Sequence, residues 1–128
     1  MIPKFRAWLK GDKEMVDVDE IAFRTDWIRV FYELNYYWFK FDDVKLMQST
    51  GLFDRNGKEI FEGDIVRQTR TQPTTENETI TGVVTMLEGA WWIMNDCEQL
   101  AGYLWSETDE NEIIGNIYEN QDILEEEE

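Results

Sequence analysis

The chain has 128 residues, 42% hydrophobic and 31% charged, with six Trp and a formal net charge of −16. This is globular rather than disordered composition, enough for one domain or two small lobes. It has no histidine and one cysteine, which removes imidazole-dependent triads, most zinc sites and any intrachain disulfide.

The N-terminus shows no basic, apolar and small-residue signal pattern. No apolar run approaches the ~20 residues that span a bilayer, so a cytoplasmic protein without membrane contact is expected. Charge is unevenly spread: residues 1–46 carry 8 Lys/Arg and 9 Asp/Glu, and residues 47–128 carry 4 and 19. The acidic field of the second part repels a phosphate backbone, so no direct nucleic-acid partner is expected.

In chain order, residues 4–8 alternate basic and apolar positions as a half-buried strand does. Gly11, Asp12 and Lys13 turn the chain, and residues 15–18 return as the partner strand. Asp17, Asp19 and Glu20 form an acidic cluster before a third short strand at 21–23. Residues 27–31 and 36–41 are strands joined by 32–35. Their β-branched and aromatic content favours strand over helix. Rings on both faces of 36–41 place one face on the core and the other on a partner, which makes Tyr37 and Phe39 candidate partner-binding residues. At 41–47 a single helical turn is predicted, with Asp42 or Asp43 as its N-cap.

Residues 46–66 hold the densest turn chemistry. Asn56 and Gly57, both with positive φ, are predicted to form a type I′ hairpin turn between 52–53 and 60–61. Gly63 and Asp64 turn the chain again before a strand at 65–70. Residues 71–79 are a polar loop, 80–86 a strand with Gly82 as a bulge or close approach, and 91–94 its hairpin partner after a turn at 87–90. Adjacent Trp91 and Trp92 point to opposite faces, one ring into the core and the other toward a partner. Beyond these lie a short helical turn at 96–102, a strand at 103–105, an acidic loop at 106–111, a strand at 112–118, a helical turn at 120–124 and a solvated acidic tail. Cys97 reads as a small buried hydrophobe.

The catalytic inventory is thin. Ser49 and Ser106 lack a nucleophile-elbow context, and no phosphate-cradling glycine loop is present. Asp54 and Asn56 open like a calcium loop, but Lys58 and Glu59 break that pattern. The clusters Asp17, Asp19, Glu20 and Glu107, Asp109, Glu110, Glu112 read as solvated edges. No catalytic residue, metal or cofactor is therefore expected.

Several separated blocks agree in order with a known family: FRAW at 5–8, LMQSTGL at 46–52, DRNGKEI at 54–60, EGDIV at 62–66 and IGNIYEN at 114–120. The chain resembles the YopX family of small bacteriophage and prophage proteins. That resemblance implies a phage or prophage origin, a cytoplasmic location in the host, a β-rich fold and a homo-oligomer, and it supplies no mechanism. The expectation is a mainly β protein: a small antiparallel, aromatic-rich lobe over 1–45 and a small SH3-like barrel over 46–128, either as two parts or as one compact unit. Its expected role is protein binding as a homo-oligomer. Two rivals stand beside it, an acidic nucleic-acid mimic that occupies a basic host protein and a metal-dependent enzyme using carboxylates alone.

Overall fold

The computed structural model describes residues 4–70, 78–95, 100–105 and 109–120. The chain divides into two compact units, Met1–Ser49 and Thr50–Glu128. Expectations for 71–77, for 96–99 with Cys97, for 106–108 and for 121–128 lie outside the described residues.

The first unit is an antiparallel sheet. Its strands are β1 (Phe5–Leu9), β2 (Glu14–Ala22), β3 (Trp27–Tyr32), β4 (Asn35–Lys40) and the first part of β5 (Val44–Phe53), and the full ladder order is β4-β3-β2-β1-β5-β6. Period-two alternation puts Ala7, Leu9, Val16, Ile28, Val30 and Val44 into one core, with Phe39 of β4 packed against it, so β1, β2, β3 and β5 each bury one face. The strands predicted at 15–18 and 21–23 are a single strand. β2 runs through its acidic middle and absorbs a register shift between Val18 and Glu20 against β3, as a bulge does.

The helical turn predicted at 41–47 is only a 3-10 turn at Phe41–Asp43, begun by Lys40 with no side-chain cap. It ends early because β5 pairs with β1, Leu9 opposite Val44 and Ala7 opposite Leu46, and this buries Val44. Neighbouring strand outweighs the local N-cap signal.

The second unit contains the rest of β5, β6 (Glu59–Phe61), β7 (Asp64–Arg70), β8 (Glu78–Leu87), β9 (Ala90–Met94), β10 (Leu100–Tyr103) and β11 (Glu110–Asn116). Five of these form an antiparallel sheet ordered β10-β9-β8-β7-β11. Ile60, Val66, Val84, Ile93 and Leu104 make its core, with Leu52, Ile80, Trp91 and Ile113 packed against them. The protein is thus mainly β, as expected, but among the described residues neither sheet closes into the expected barrel. The order ends at β10 on one side and β11 on the other without closure.

Strand limits also differ near the end, since Glu110 and Asn111 belong to β11 and pair with Thr69 and Gln68. Ladder bonds are made by backbone, so polar side chains that read as a loop are still recruited.

The central turns are local and well determined. Gly57 N–H donates to the Asp54 carbonyl (2.9 Å) and Asp54 N–H to the Lys58 carbonyl (2.7 Å). Only Gly57 of the expected pair has positive φ (+83°), so the hairpin is a longer loop with glycine in the left-handed position rather than a type I′ turn. At the next turn Gly63 has φ +89°, and the Asp64 carboxylate accepts the Phe61 N–H at 2.8 Å, as a turn aspartate does. Gly82 is a close approach: a Cβ there would lie 2.4 Å from the Met94 carbonyl oxygen.

Candidate functional site

In the first unit, β4 occupies the end of the sheet, and its turn decides which groups face which way. Glu33 and Leu34 both have positive φ (50° and 66°), and Tyr32 pairs with Asn35 across them. This is a type I′ hairpin, whose flanking residues form a hydrogen-bonded pair. The alternation holds to Phe41, whose N–H donates to the Asp26 carbonyl at 2.9 Å. Asn35, Tyr37 and Phe39 therefore bond inward to β3. Tyr36, Trp38 and Lys40 direct their N–H and C=O groups toward the free edge.

Side chains alternate as well. Phe39 packs against the first core, so it is a core residue and does not belong to an exposed patch. Tyr37 shares that face, 41% exposed, with its ring edge-on to Tyr32 at 6.2 Å.

The opposite face carries rings that had not been singled out. Phe31 and Tyr36 lie 5.2 Å apart, and the Arg29 guanidinium sits 4.8 Å from the Tyr36 ring and 5.9 Å from Trp38. Lys40 lies 5.6 Å from the Trp27 ring, within cation–π range. Tyr36 and Trp38 are 57% and 47% exposed. Asp19 accepts from Arg29 Nε at 2.7 Å and also from Nη2, and Glu20 is 3.8 Å away. Two members of the early acidic cluster thus anchor an arginine. The sequence signal was available: buried Ile28 and Val30 turn Arg29 and Phe31 outward, and a two-residue turn then aligns Tyr36 and Trp38 with them.

In the second unit Trp91 packs against the core, while Trp92 lies on the other face. Its ring stacks on Tyr103, centroids 4.0 Å apart, and its indole N–H donates to the Leu87 carbonyl at 3.2 Å. Opposite faces were expected, but the outward ring has a partner within its own sheet. Of the candidate partner-binding residues Tyr37, Phe39, Trp91 and Trp92, Phe39 and Trp91 pack against the two cores, and Trp91 is the inward ring that the tryptophan pair was expected to supply.

The Asp54 carboxylate is the polar hub of this unit. Its Oδ1 accepts the N–H groups of Asn56 and Lys58 (both 2.9 Å), and its Oδ2 accepts the N–H of Ile113 at 3.0 Å. Burial pushes this carboxyl up, but the bonds from Ile113, Lys58 and Asn56 and the Lys58 charge outweigh burial and hold it below the usual value. These bonds tie Asp54 to the hairpin loop and to β11. Nearby, Gln68 Nε2 donates to the carbonyls of Tyr103 (3.1 Å) and Leu104 (3.3 Å) and to Asn111 Oδ1 (3.0 Å). A half-open cleft of about 360 Å³ lies between the hairpin and the end of β10, lined by Phe53, Arg55, Leu104, Trp105 and Asp109 among others. Among the described residues, no three of His, Cys, Asp and Glu are grouped to hold a metal ion, and no helix is long and apolar enough to cross a membrane.

Two antiparallel β units, with no helix beyond one 3-10 turn among the described residues, define the class of protein. The chain belongs to the YopX family, whose model matches residues 4–125. Among solved structures it is similar to protein EF1440 from Enterococcus faecalis, at 27% identity and TM-score 0.58 over 97% of this chain and 99% of that one. It is also similar in fold to protein yopX from Bacillus subtilis, at 19% identity and TM-score 0.65 over 94% and 97% of the two chains. No curated protein matches.

Proposed function

We propose that this chain is a phage or prophage accessory protein that acts by binding protein, itself included, and catalyses nothing. The observation that carries the reading is the edge strand β4, which presents Tyr36, Tyr37 and Trp38 to solvent with a row of outward backbone groups. Natural sheets shield such edges with charge, proline or a covering segment, because an exposed apolar edge pairs with another strand. Here the edge is aromatic, and its one charge, Lys40, sits at its end. The phage origin and the cytoplasmic location rest on the family resemblance.

Sedimentation velocity over a range of concentrations tests the reading, together with affinity capture from infected cells. A mass above the 15.3 kDa of one chain, or one host protein captured specifically, is the expected result. A monomer at every concentration that captures nothing overturns it.

The uneven charge favours a second reading, in which the acidic part over 47–128, with 19 Asp/Glu against 4 Lys/Arg, occupies a host protein's basic groove. Such capture weakens steeply with salt. Capture unchanged between low and high salt excludes it.

A further inference from the structure

We infer that β4 pairs with β4 of a second copy, antiparallel, about a two-fold axis that passes through Trp38. This deepens the binding reading above and rests on it.

The register follows from three constraints. First, a two-fold axis that extends an antiparallel sheet stands perpendicular to it and keeps each side chain on its own face. Opposed residues must then lie an even number of positions apart, which leaves Tyr36, Tyr37, Trp38 or Phe39 as the residue on the axis. Second, the outward backbone groups belong to Tyr36, Trp38 and Lys40, because Asn35, Tyr37 and Phe39 are engaged with β3. Third, the extended segment is bounded by Leu34 in the left-handed region at one end and by the 3-10 turn Phe41–Asp43 at the other.

Centring on Tyr37 pushes Lys40 opposite Leu34, and centring on Phe39 pushes Tyr36 opposite Asp42. Centring on Tyr36 sets Lys40 against Tyr32. Each of these loses outward bonds. With Trp38 on the axis, Trp38 faces Trp38 and Tyr36 faces Lys40 in both directions, so all three outward residues find partners inside the strand.

Side-chain chemistry agrees with this register. On the outer face Lys40 meets the Tyr36 ring of the other copy, a cation–π pair, and no like charges are opposed. The two Trp38 rings meet between the Arg29 groups that already lie over them. On the inner face Tyr37 meets Phe39. This self-complementarity argues for a second copy as the occupant: the one charge on the strand, Lys40, falls opposite the other copy's Tyr36 ring, and residues 1–46, with 8 Lys/Arg against 9 Asp/Glu, repel their own copy little. The pairing consumes the same edge in both copies, so it closes at two chains across this edge.

Single cysteines in a Cys97→Ser background test the register, read beside the unmodified protein. Opposed Trp38 positions place their Cα atoms about 5.5 Å apart, within disulfide reach. The Tyr36 positions of the two copies lie roughly 14 Å apart, four residues at about 3.3 Å each along the strand and about 5 Å across it. Under mild oxidation Trp38→Cys is expected to cross-link and Tyr36→Cys to stay single. Because Trp38→Cys removes a ring from the interface, backbone amide exchange on the unmodified protein is measured as well. The amides of Tyr36, Trp38 and Lys40 are expected to exchange slowly at high concentration and at least tenfold faster on dilution.

Trp38→Lys is expected to leave a folded protein of single-chain mass. A dimer that survives Trp38→Lys with those three amides unprotected overturns this interface and leaves the binding reading standing. Equal cross-linking at 36 and 38 overturns the register. A monomeric protein with fast amides overturns the inference, and the capture experiment then decides the broader reading alone.

Discussion

The Asp54 carboxylate reaches across the second unit to the backbone of Ile113, Oδ2 to N–H at 3.0 Å, although 59 positions separate the two residues. Its other oxygen organises the hairpin loop through Asn56 and Lys58, and Arg55 N–H donates to the Asn111 carbonyl at 2.8 Å. One aspartate thus shapes a turn and fastens it to β11. Replacing Asp54 by Ala leaves three donors without their acceptor in a part-buried site. A loss of about 3–5 kcal/mol is expected, since hydrogen bonds to a charged group contribute about 1.5–3 kcal/mol each and are not fully additive. Urea unfolding measures it, and a loss under 1 kcal/mol contradicts the hub.

The same carboxylate sets a pH dependence. Its folded pKa lies below its ordinary value, so the unfolded chain binds the proton more readily. The stabilisation is fully present above the unfolded value, about 3.9. It is lost as pH falls through the lower folded value. Asp54→Asn is therefore expected to flatten the decline in stability below about pH 4 relative to the unmodified protein. Parallel acid-unfolding curves for the two proteins rule this out.

The two adjacent tryptophans differ in what they hold. Trp91→Ala removes a ring from the second core and is expected to cost about 3 kcal/mol or more. Trp92→Ala loses the stack on Tyr103 and one hydrogen bond, and about 1–2 kcal/mol is expected. Chemical denaturation of both variants checks the order, and a larger loss at Trp92 contradicts the face assignment.

Gly82→Ala is expected to destabilise by about 2–3 kcal/mol, because the new Cβ meets the Met94 carbonyl, a backbone atom that no rotamer change can move away. Thermal unfolding should register this as a clear drop in Tm.

The β3–β4 turn offers a change in the opposite direction. Leu34 stands at φ 66° and is 87% exposed. Glycine there relieves the left-handed backbone and removes an exposed apolar side chain. Leu34→Gly is expected to stabilise by about 0.5–1 kcal/mol. A fall in stability by urea unfolding contradicts the turn assignment.

Much of this architecture was legible in the chain itself. Alternation and β-branched or aromatic content mark the strands, and glycine with Asp64 marks the central turns, because these signals act between residues close in sequence. The strand at 27–31 and its aromatic neighbour at 36–41 fall close to β3 and β4 for that reason. Where a partner strand intervenes, local reading fails. Pairing with β1 draws Val44 into β5 and shortens the helical turn, and pairing with β7 draws polar Glu110 and Asn111 into β11.

The aromatic site divides in the same way. Composition alone established an aromatic share of 14% with six Trp, and alternation established that Trp91 and Trp92 face apart. Only the tertiary structure decided that Phe39 and Trp91 are core and that Trp92 leans on Tyr103. It also decided that Tyr36 and Trp38 remain exposed on an edge beside Arg29. A side chain's face depends on strand parity, which sequence carries, but its exposure depends on what lies across the sheet. That is settled by residues far away in the chain, as Ile113 settles the task of Asp54.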